Sequence, residues 1–195
     1  MEVKFNFCNL KKQKFTKKIE KLLEQKNPEK ILIMNTAIKK NAEIIYQTIE
    51  EKKNFPNNPD LPVVLYKNVI DFSDVLEPGY LIEEIFEKNN WKGIWKDGIH
   101  NQHHFHSNTH EVLGVLSGLG TLQVGGPEGT EFSITKGDVI IIPAGTSHKL
   151  TESHGELVCV GAYPEGIEYD MKFGKKYKKE DAIENIKKVP VPEKD

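Results

Sequence analysis

Four of the chain's seven histidines lie within one nine-residue stretch, HHFHSNTHE at positions 103–111. Imidazole is the commonest protein ligand for transition metals and titrates near neutral pH, so such a cluster favours chemistry over packing. On a strand, His104 and His106 would project from the same face and could reach one ion. The alternative interpretation is a group of solvated histidines in a loop.

Glu111 could join these histidines only if the chain changes direction before it. An unbroken strand would place its carboxylate on the opposite face from His106, because an odd number of positions separates the two residues. The intervening Ser-Asn-Thr stretch at 107–109 consists of turn formers. We therefore predict a corner there, which returns Glu111 to the same point and gives Leu113 and Val115 an interior position.

A candidate for the fourth donor lies outside the cluster. The segment GDVIIIPAGTSH at 137–148 is typical of a β-branched strand that ends at Pro143 and is followed by a tight turn at Gly145. The chain would then return with His148 at the start of the next strand. His148 can therefore face inward toward the same point as the cluster.

The two segments together resemble the two sequence motifs of the cupin superfamily, in residue type and in spacing. The matching residues are Gly98, His104, His106, Glu111 and Gly118 in the first motif, and Gly137, Pro143, Gly145 and His148 in the second. The second motif usually has an asparagine where this chain has Glu152. The resemblance implies one divalent ion inside a small β-barrel that has helices outside it. The implied ligands are His104, His106, Glu111 and His148.

Further stretches resemble the YjlB-like branch of the cupins, among them FPNNPDLPVVLY, HFHSNTHEVLG, GGPEG, GAYP and the closing VPVP. This resemblance begins near Met34. We therefore predict a Lys-rich helical extension over residues 1–33 and a cupin domain over residues 34–195. The domain is expected to have flanking helices, an extended C-terminal tail and a barrel core at about 91–163.

The predicted fold class is mainly β: a small antiparallel barrel of the cupin or jelly-roll type with N-terminal helices packed outside it. Hydrophobic periodicity predicts a helix within 1–33, a second after Asn35-Thr36 and a third from Glu77-Pro78. The second predicted helix presents Ile38, Ala42, Ile45 and Ile49 on one face. The predicted strands are 63–66, 91–96, 102–106, 111–117, 121–125, 131–135, 138–142, 148–151 and 156–163. We also predict a connector at 54–62, hairpin turns at SGLG and GGPEG, and a short helix near 180–188.

Composition argues against several classes of partner. The chain has 195 residues, enough for one substantial domain, and its formal net charge of −2 would attract neither nucleic acid nor an anionic membrane. All 27 basic residues are lysines, so an anionic substrate would be held without guanidinium groups. Cys8 and Cys159 form no CxxC pair, and no stretch has the length of a membrane span. We expect a cytoplasmic protein.

The predicted site suits divalent Fe, Mn, Ni, Co, Cu or Zn, and affinity does not choose among these ions. Four protein ligands leave open positions for a small-molecule substrate. We expect a metalloenzyme, either a dioxygenase or an isomerase or epimerase in which Glu111 or His110 moves a proton. His110 has the opposite strand parity, so the surface or a hydrogen bond behind the ligands is its other interpretation. The alternative function is a non-catalytic cupin that binds a ligand or holds a metal. A homodimer is the expected assembly.

Other conspicuous side chains have less specific interpretations. His100, His103 and His154 are expected at the surface or in loops. Trp95 is expected in the core or in a pocket wall. Tyr163, late on the last predicted strand, is expected to be a buried tyrosine near the barrel mouth.

Overall fold

The computed structural model describes residues 36–174 and 177–193. Within these residues the chain forms nine strands and two helices. The strands are β1 (Glu43–Ile49), β2 (Asn58–Lys67), β3 (Trp91–Asp97), β4 (His104–Phe105), β5 (Glu111–Val124), β6 (Thr130–Thr135), β7 (Val139–Ile142), β8 (His148–Pro164) and β9 (Lys172–Phe173). The helices are α1 (Pro78–Lys88) and α2 (Lys179–Ile186).

The strands join in one antiparallel sheet with the order β1-β2-β7-β5-β8-β4-β9, in which β3 also pairs with β8 and β6 with β5. The long strands β5 and β8 organise this sheet. One edge of β5 pairs first with β7 and then with β6, while its other edge pairs with β8. The sheet therefore curls into a barrel-like shape, and the prediction of a mainly β, antiparallel cupin fold is confirmed.

The curled sheet encloses an apolar core. Its members alternate along the strands with residues that face outward, as a two-residue period requires. They include Val63, Leu65, Leu113, Val115, Leu122, Val124, Ile140, Ile142 and Cys159. Burying each large aliphatic side chain contributes about 1.5–3 kcal/mol. Burial also raises the pKa of the Cys159 thiol to about 12, so this cysteine is an inert core residue.

Helix α1 begins where the sequence predicts, with Pro78 in its first turn. Its apolar stripe, Leu81, Ile82, Ile85 and Phe86, is buried. A Cβ atom on Gly114 of β5 would lie only 2.8 Å from Ile82 Cγ2, so the missing side chain allows the helix to approach the sheet. The helix thus covers the outer face of β5.

The second predicted helix is wrong, because this segment contains strand β1. Ile45 and Ile49 are four positions apart, which fits one face of a helix and equally one face of a strand. Pairing decides between them: Ile45 lies opposite Leu65 of β2, and both isoleucines pack against the barrel core. The predicted connector at 54–62 is also too long, since β2 begins at Asn58.

The predicted hairpin at SGLG does not exist, because β5 runs through it. The pairing of β5 with β8 shifts register around Ser117, as at a β-bulge, and Gly118 has φ +82°. A Cβ atom on Gly118 would lie 2.6 Å from the Glu156 carbonyl oxygen, so the glycine serves the close approach of β8. Strand β8 likewise joins the two strands predicted at 148–151 and 156–163. The predicted turn at GGPEG does connect β5 and β6.

The predicted helix within 1–33 lies outside the described residues, and the proposed domain boundary at 34 stays a prediction. Near the C-terminus, the predicted short helix is α2, but β9 was not predicted. Among the described residues, no helix is long and apolar enough to cross a membrane.

Candidate metal centre

Three histidines from two segments of the curled sheet lie close together. His104 begins β4 and lies directly opposite His148, the first residue of β8. His106 follows two positions after His104 and projects from the same side, as the strand period predicts. All three side chains are buried, and each places a ring nitrogen within 4.8 Å of the other two. This spacing is short enough for one ion to contact all three.

Glu111, the first residue of β5, brings a carboxylate to the same point. Its Oε2 atom lies 3.1 Å from His148 Nε2 and 3.6 Å from His106 Nε2. The chain bends at 107–108, which restores the phase that an unbroken strand would have lost. The predicted corner is therefore present, and it brings the Glu111 carboxylate beside His106 and His148, while the ligand atoms that lie within 4.8 Å of one another are those of the three histidines.

The orientation of each imidazole is fixed by a main-chain carbonyl group. The Nδ1 atoms lie 3.0 Å from Gln102 O for His104, 2.6 Å from Asp170 O for His106, and 3.1 Å from Thr146 O for His148. A carbonyl oxygen can only accept a hydrogen bond, so each Nδ1 carries a proton. In the neutral ring, the lone pair is consequently on Nε2, as metal ligation through that atom requires.

This arrangement is electrostatically incomplete without a cation. His106 Nε2 and Glu111 Oε2 are buried and lack a hydrogen-bond partner within the described part of the chain. Buried polar atoms are normally paired, and an unpaired one costs about 1–3 kcal/mol. A proton or a metal ion between these atoms would remove the repulsion between facing lone pairs. The donor set therefore fits a divalent transition metal.

Protonation supplies part of that positive charge when no metal is bound. Burial lowers the pKa of His104 to about 3, and the neighbouring His148 adds to this effect. Burial opposes a charge on His106 too, but its contacts with the Glu111 carboxylate outweigh burial and raise the pKa of His106. Burial would raise the pKa of Glu111, yet His106 and His148 lower it overall. Metal binding would thus displace a proton, which is general for imidazole sites.

The four side chains line a cavity of about 250 Å³. Its remaining wall is mixed: Trp95, Ile99, Leu113, Tyr163, Tyr169 and Met171 are aromatic or apolar, while Lys96, Asp97 and His100 add polar groups. This combination of convergent polar groups with aromatic and apolar side chains is typical of small-molecule sites.

A segment that we did not predict forms part of this wall. Tyr169 packs against His106 with ring centroids 4.8 Å apart, and Met171 lies beside the same cavity. Between them, the Asp170 carboxylate accepts hydrogen bonds from the Ser107 main-chain and hydroxyl groups. The alternation of Ile167, Tyr169, Met171 and Phe173 with charged residues is a strand-like signal that could have revealed this segment.

Tyr163 and Trp95 contact the candidate ligands more directly than we expected. The Tyr163 hydroxyl donates a hydrogen bond of 3.0 Å to Glu111 Oε1. The Trp95 indole N–H in turn donates to the Tyr163 oxygen, also at 3.0 Å. Both side chains are therefore part of the site.

The structure does not bring His110 into the cavity. Its side chain is buried, and Nδ1 accepts a hydrogen bond from the Ala144 main-chain N–H at 3.0 Å. Burial lowers the pKa of His110, although the Pro190 carbonyl partly opposes this. This position favours a structural role for His110, through a hydrogen bond outside the cavity, over a role in proton transfer. Glu152, the departure from the second motif, is exposed on β8.

The remaining histidines differ from one another. His100 is exposed, but it lies at the cavity wall with its ring centroid 5.2 Å from that of His104. His103 is partly buried and lies within hydrogen-bond distance of Gln123 and Ser147. Of the three, His154 on β8 is the exposed residue remote from the site.

Comparisons with known proteins give the following matches. A family model described as "Cupin domain" matches residues 93–161. The Bacillus subtilis (strain 168) protein named "Uncharacterized protein YjlB" is 39% identical over 140 residues, which cover 72% of this chain and 81% of that protein. A Klebsiella pneumoniae protein of known structure with a double-stranded beta-helix domain is 16% identical with a TM-score of 0.35, and the match covers 73% of this chain and 95% of that one. A Bacillus subtilis oxalate decarboxylase mutant is 20% identical with a TM-score of 0.34, over 65% of this chain and 30% of the other.

Proposed function

Since the chain belongs to the YjlB-like branch of the cupin superfamily, we propose that it binds one divalent metal ion and acts as a metalloenzyme on a small molecule. The proposed ligands are His104, His106, Glu111 and His148. The single observation that carries the proposal is the shared orientation of three imidazoles. Each Nδ1 is held by a main-chain carbonyl, so that each Nε2 is the free ligand atom beside the buried carboxylate.

The bound ion would supply Lewis acidity to a substrate that ligates it through adjacent oxygen atoms. The protein's own contribution is orientation and exclusion of water. Trp95, Tyr169 and Met171 provide an apolar wall around the site, and this wall favours a small planar or weakly charged substrate. Lys96, which borders the cavity, is exposed, so it is a weak counter-charge for an anion.

Two reaction types fit this arrangement, an oxidation by O₂ and an isomerisation or epimerisation. Both use a metal with substrate positions left open by four protein ligands. In the second type a base must move a proton, and Glu111, the predicted base, could do so only through the oxygen that is not bound to the ion. Its Oε1 atom already holds the Tyr163 hydroxyl, so Glu111 has a donor beside it. Iron and manganese suit the first type, and the ion is not restricted further by the donor set.

A non-catalytic cupin that binds a ligand or stores a metal is the second candidate. The observation that favours it is the buried position of His110, which leaves Glu111 as the main proton-transfer group among the predicted catalytic residues. Localisation in the cytoplasm and assembly as a homodimer remain proposals that accompany either function.

The test begins with the full-length chain purified without a polyhistidine tag, followed by metal analysis. We expect about one ion per chain, and His148→Ala should abolish it. His154→Ala is the matched control, because it removes an exposed histidine from the same strand. A wild-type protein that takes up no ion from any of the six metals would refute the proposal.

The loaded protein is then screened for oxygen uptake and for isomerisation with small diols, keto acids and sugars. Turnover that disappears in His148→Ala and persists in His154→Ala would establish the enzyme. One tightly bound ion without turnover on any substrate would instead favour the non-catalytic function.

A further inference from the structure

We propose that Tyr163 and Trp95 act as positioning residues that hold Glu111 so that only one of its carboxylate oxygens faces the metal site. The inference rests on the proposed function, because it assigns a coordination mode to one of the proposed ligands.

The direction of the hydrogen bonds follows from the chemistry of the three side chains. The Trp95 indole N–H can only donate, so the Tyr163 oxygen accepts its bond at 3.0 Å. The single proton of the Tyr163 hydroxyl is therefore available for Glu111 Oε1, which lies 3.0 Å away and can only accept. These two hydrogen bonds form a relay from Trp95 through Tyr163 that ends on Oε1 of Glu111.

The two aromatic rings have little freedom to move. Trp95 lies opposite Gly161 in the pairing of β3 with β8, and a Cβ atom on Gly161 would lie 2.1 Å from Trp95 Cε2. The indole therefore occupies the space that a side chain would need. On the other side, the Tyr169 ring stacks on Tyr163 with centroids 4.7 Å apart and an interplanar angle of 30°. The fold thus fixes the hydroxyl before any ion binds.

This restraint leaves Oε2 as the oxygen for the metal. Oε2 is the atom that faces His148 Nε2 at 3.1 Å and His106 Nε2 at 3.6 Å. Without the Tyr163 proton, the Glu111 carboxylate could rotate and present both oxygens to the ion. A second oxygen would occupy a position that a substrate otherwise takes, so the relay keeps the coordination sphere open.

The experiment uses the full-length, metal-free protein and Co²⁺ as the probe, because the visible absorption of bound Co²⁺ depends on its coordination number. In Tyr163→Phe the freed carboxylate can turn away from the ion as well as present both oxygens to it, so we expect Co²⁺ to bind about 10- to 100-fold more weakly, as for other groups that orient a metal ligand. We also expect a changed absorption spectrum. Trp95→Phe keeps the phenol and should change both quantities in the same direction but by less, so the test does not depend on the folding of one variant.

Tyr177→Phe is the matched control. Its hydroxyl donates a 2.7 Å hydrogen bond to the Asn54 carbonyl, and its ring packs on Phe105, so the variant loses one phenolic hydrogen bond without touching Glu111. Wild-type affinity and spectrum in Tyr163→Phe would overturn the inference and leave the metal site intact. Equal weakening in Tyr177→Phe would also overturn it, because the effect would then be general destabilisation. A wild-type protein that binds none of the six divalent metals would instead refute the proposed function itself.

Discussion

Two carboxylates are buried among the residues that the structure describes, and their surroundings are opposite in kind. Asp138, which is 0% exposed, accepts hydrogen bonds from the Asn68 N–H at 2.6 Å and the Thr135 N–H at 2.9 Å, and it pairs with the Lys67 ammonium group. Glu111 is 4% exposed and has one hydrogen-bond donor, on Oε1, while Oε2 faces the Nε2 atoms of two histidines.

This difference indicates that Asp138 stabilises the fold, whereas Glu111 has an oxygen available for a ligand. Asp138 ties the start of β7 to the ends of β2 and β6, and each of its oxygens has a partner. Such a complete network stabilises the native state, whereas an incomplete one is tolerated only where the rest of the fold holds it. Burial alone therefore does not identify a site, whereas a buried carboxylate with an oxygen that lacks a hydrogen-bond partner needs a physical explanation such as a bound ion.

Asp138→Asn should produce the largest loss of stability. The substitution breaks the ion pair with Lys67, whose side chain is 26% exposed, and it weakens the two main-chain hydrogen bonds. We expect the free energy of unfolding to fall by about 3 kcal/mol. Urea denaturation of the metal-free protein measures this value. The folded variant should bind Co²⁺ as tightly as the wild type, and weaker binding would show that the two carboxylates are not independent.

Glu111→Gln should have the opposite result: a large loss of Co²⁺ affinity and a small loss of stability. The amide oxygen can still accept the Tyr163 hydrogen bond, but the negative charge beside the three histidines is lost. We expect Co²⁺ affinity to fall at least about 100-fold, since even the loss of a group behind a ligand costs 10- to 100-fold. The free energy of unfolding without metal should fall by about 1 kcal/mol, less than in Asp138→Asn, because Glu111 Oε2 has no hydrogen-bond donor to lose. Isothermal titration and urea denaturation give the two numbers, and a large loss of metal-free stability would mean that Glu111 is structural like Asp138.

How much of the site could be predicted from the sequence depends on whether a feature is local or requires the pairing of distant strands. The approach of His104, His106 and Glu111 depends on local features, namely the two-residue strand period and a corner at 107–109. Both features can be inferred from residues that are close together in the sequence. The strand and turn pattern of 137–148 predicted that His148 faces the same point, and the family spacing agreed with it. The three histidines do meet, with Glu111 beside two of them, and the role of these residues as ligands is still a prediction.

Other features of the site and the fold depend on which distant strands pair with each other. The residues within one segment do not determine that pairing. Tyr163 reaches Trp95 because β3 pairs with β8 in a particular register. Ile45 and Ile49 are compatible with a helix until pairing with β2 decides for a strand. The wall at 167–173 has a strand-like alternation, but its charged neighbours made the whole tail resemble a solvated segment.

Asp170 supports both the fold and the candidate site, so Asp170→Asn should lower stability less than Asp138→Asn does and metal affinity less than Glu111→Gln does. Burial would raise the pKa of this carboxyl, but hydrogen bonds from Ser107 lower it, so it is held as a carboxylate. The Asp170 main-chain oxygen also accepts the His106 Nδ1 bond at 2.6 Å. We expect Co²⁺ to bind about 10-fold more weakly and the free energy of unfolding to fall by about 1 kcal/mol. Unchanged Co²⁺ affinity would show that the corner at 107–109 holds its shape without this carboxylate.

Glu152→Asn, which restores the usual residue of the second motif, should have the smallest effect. Glu152 is an exposed carboxylate on β8, opposite Thr121 of β5, so neither burial nor an unpaired oxygen gives it a role. A surface substitution of this kind changes the free energy of unfolding by no more than about 0.5 kcal/mol. Co²⁺ affinity should equal that of the wild type in a parallel titration. Both this variant and Glu111→Gln replace a glutamate by a neutral amide, so a clear gain or loss of metal binding here would mean that charge outside the cavity also contributes to holding the ion.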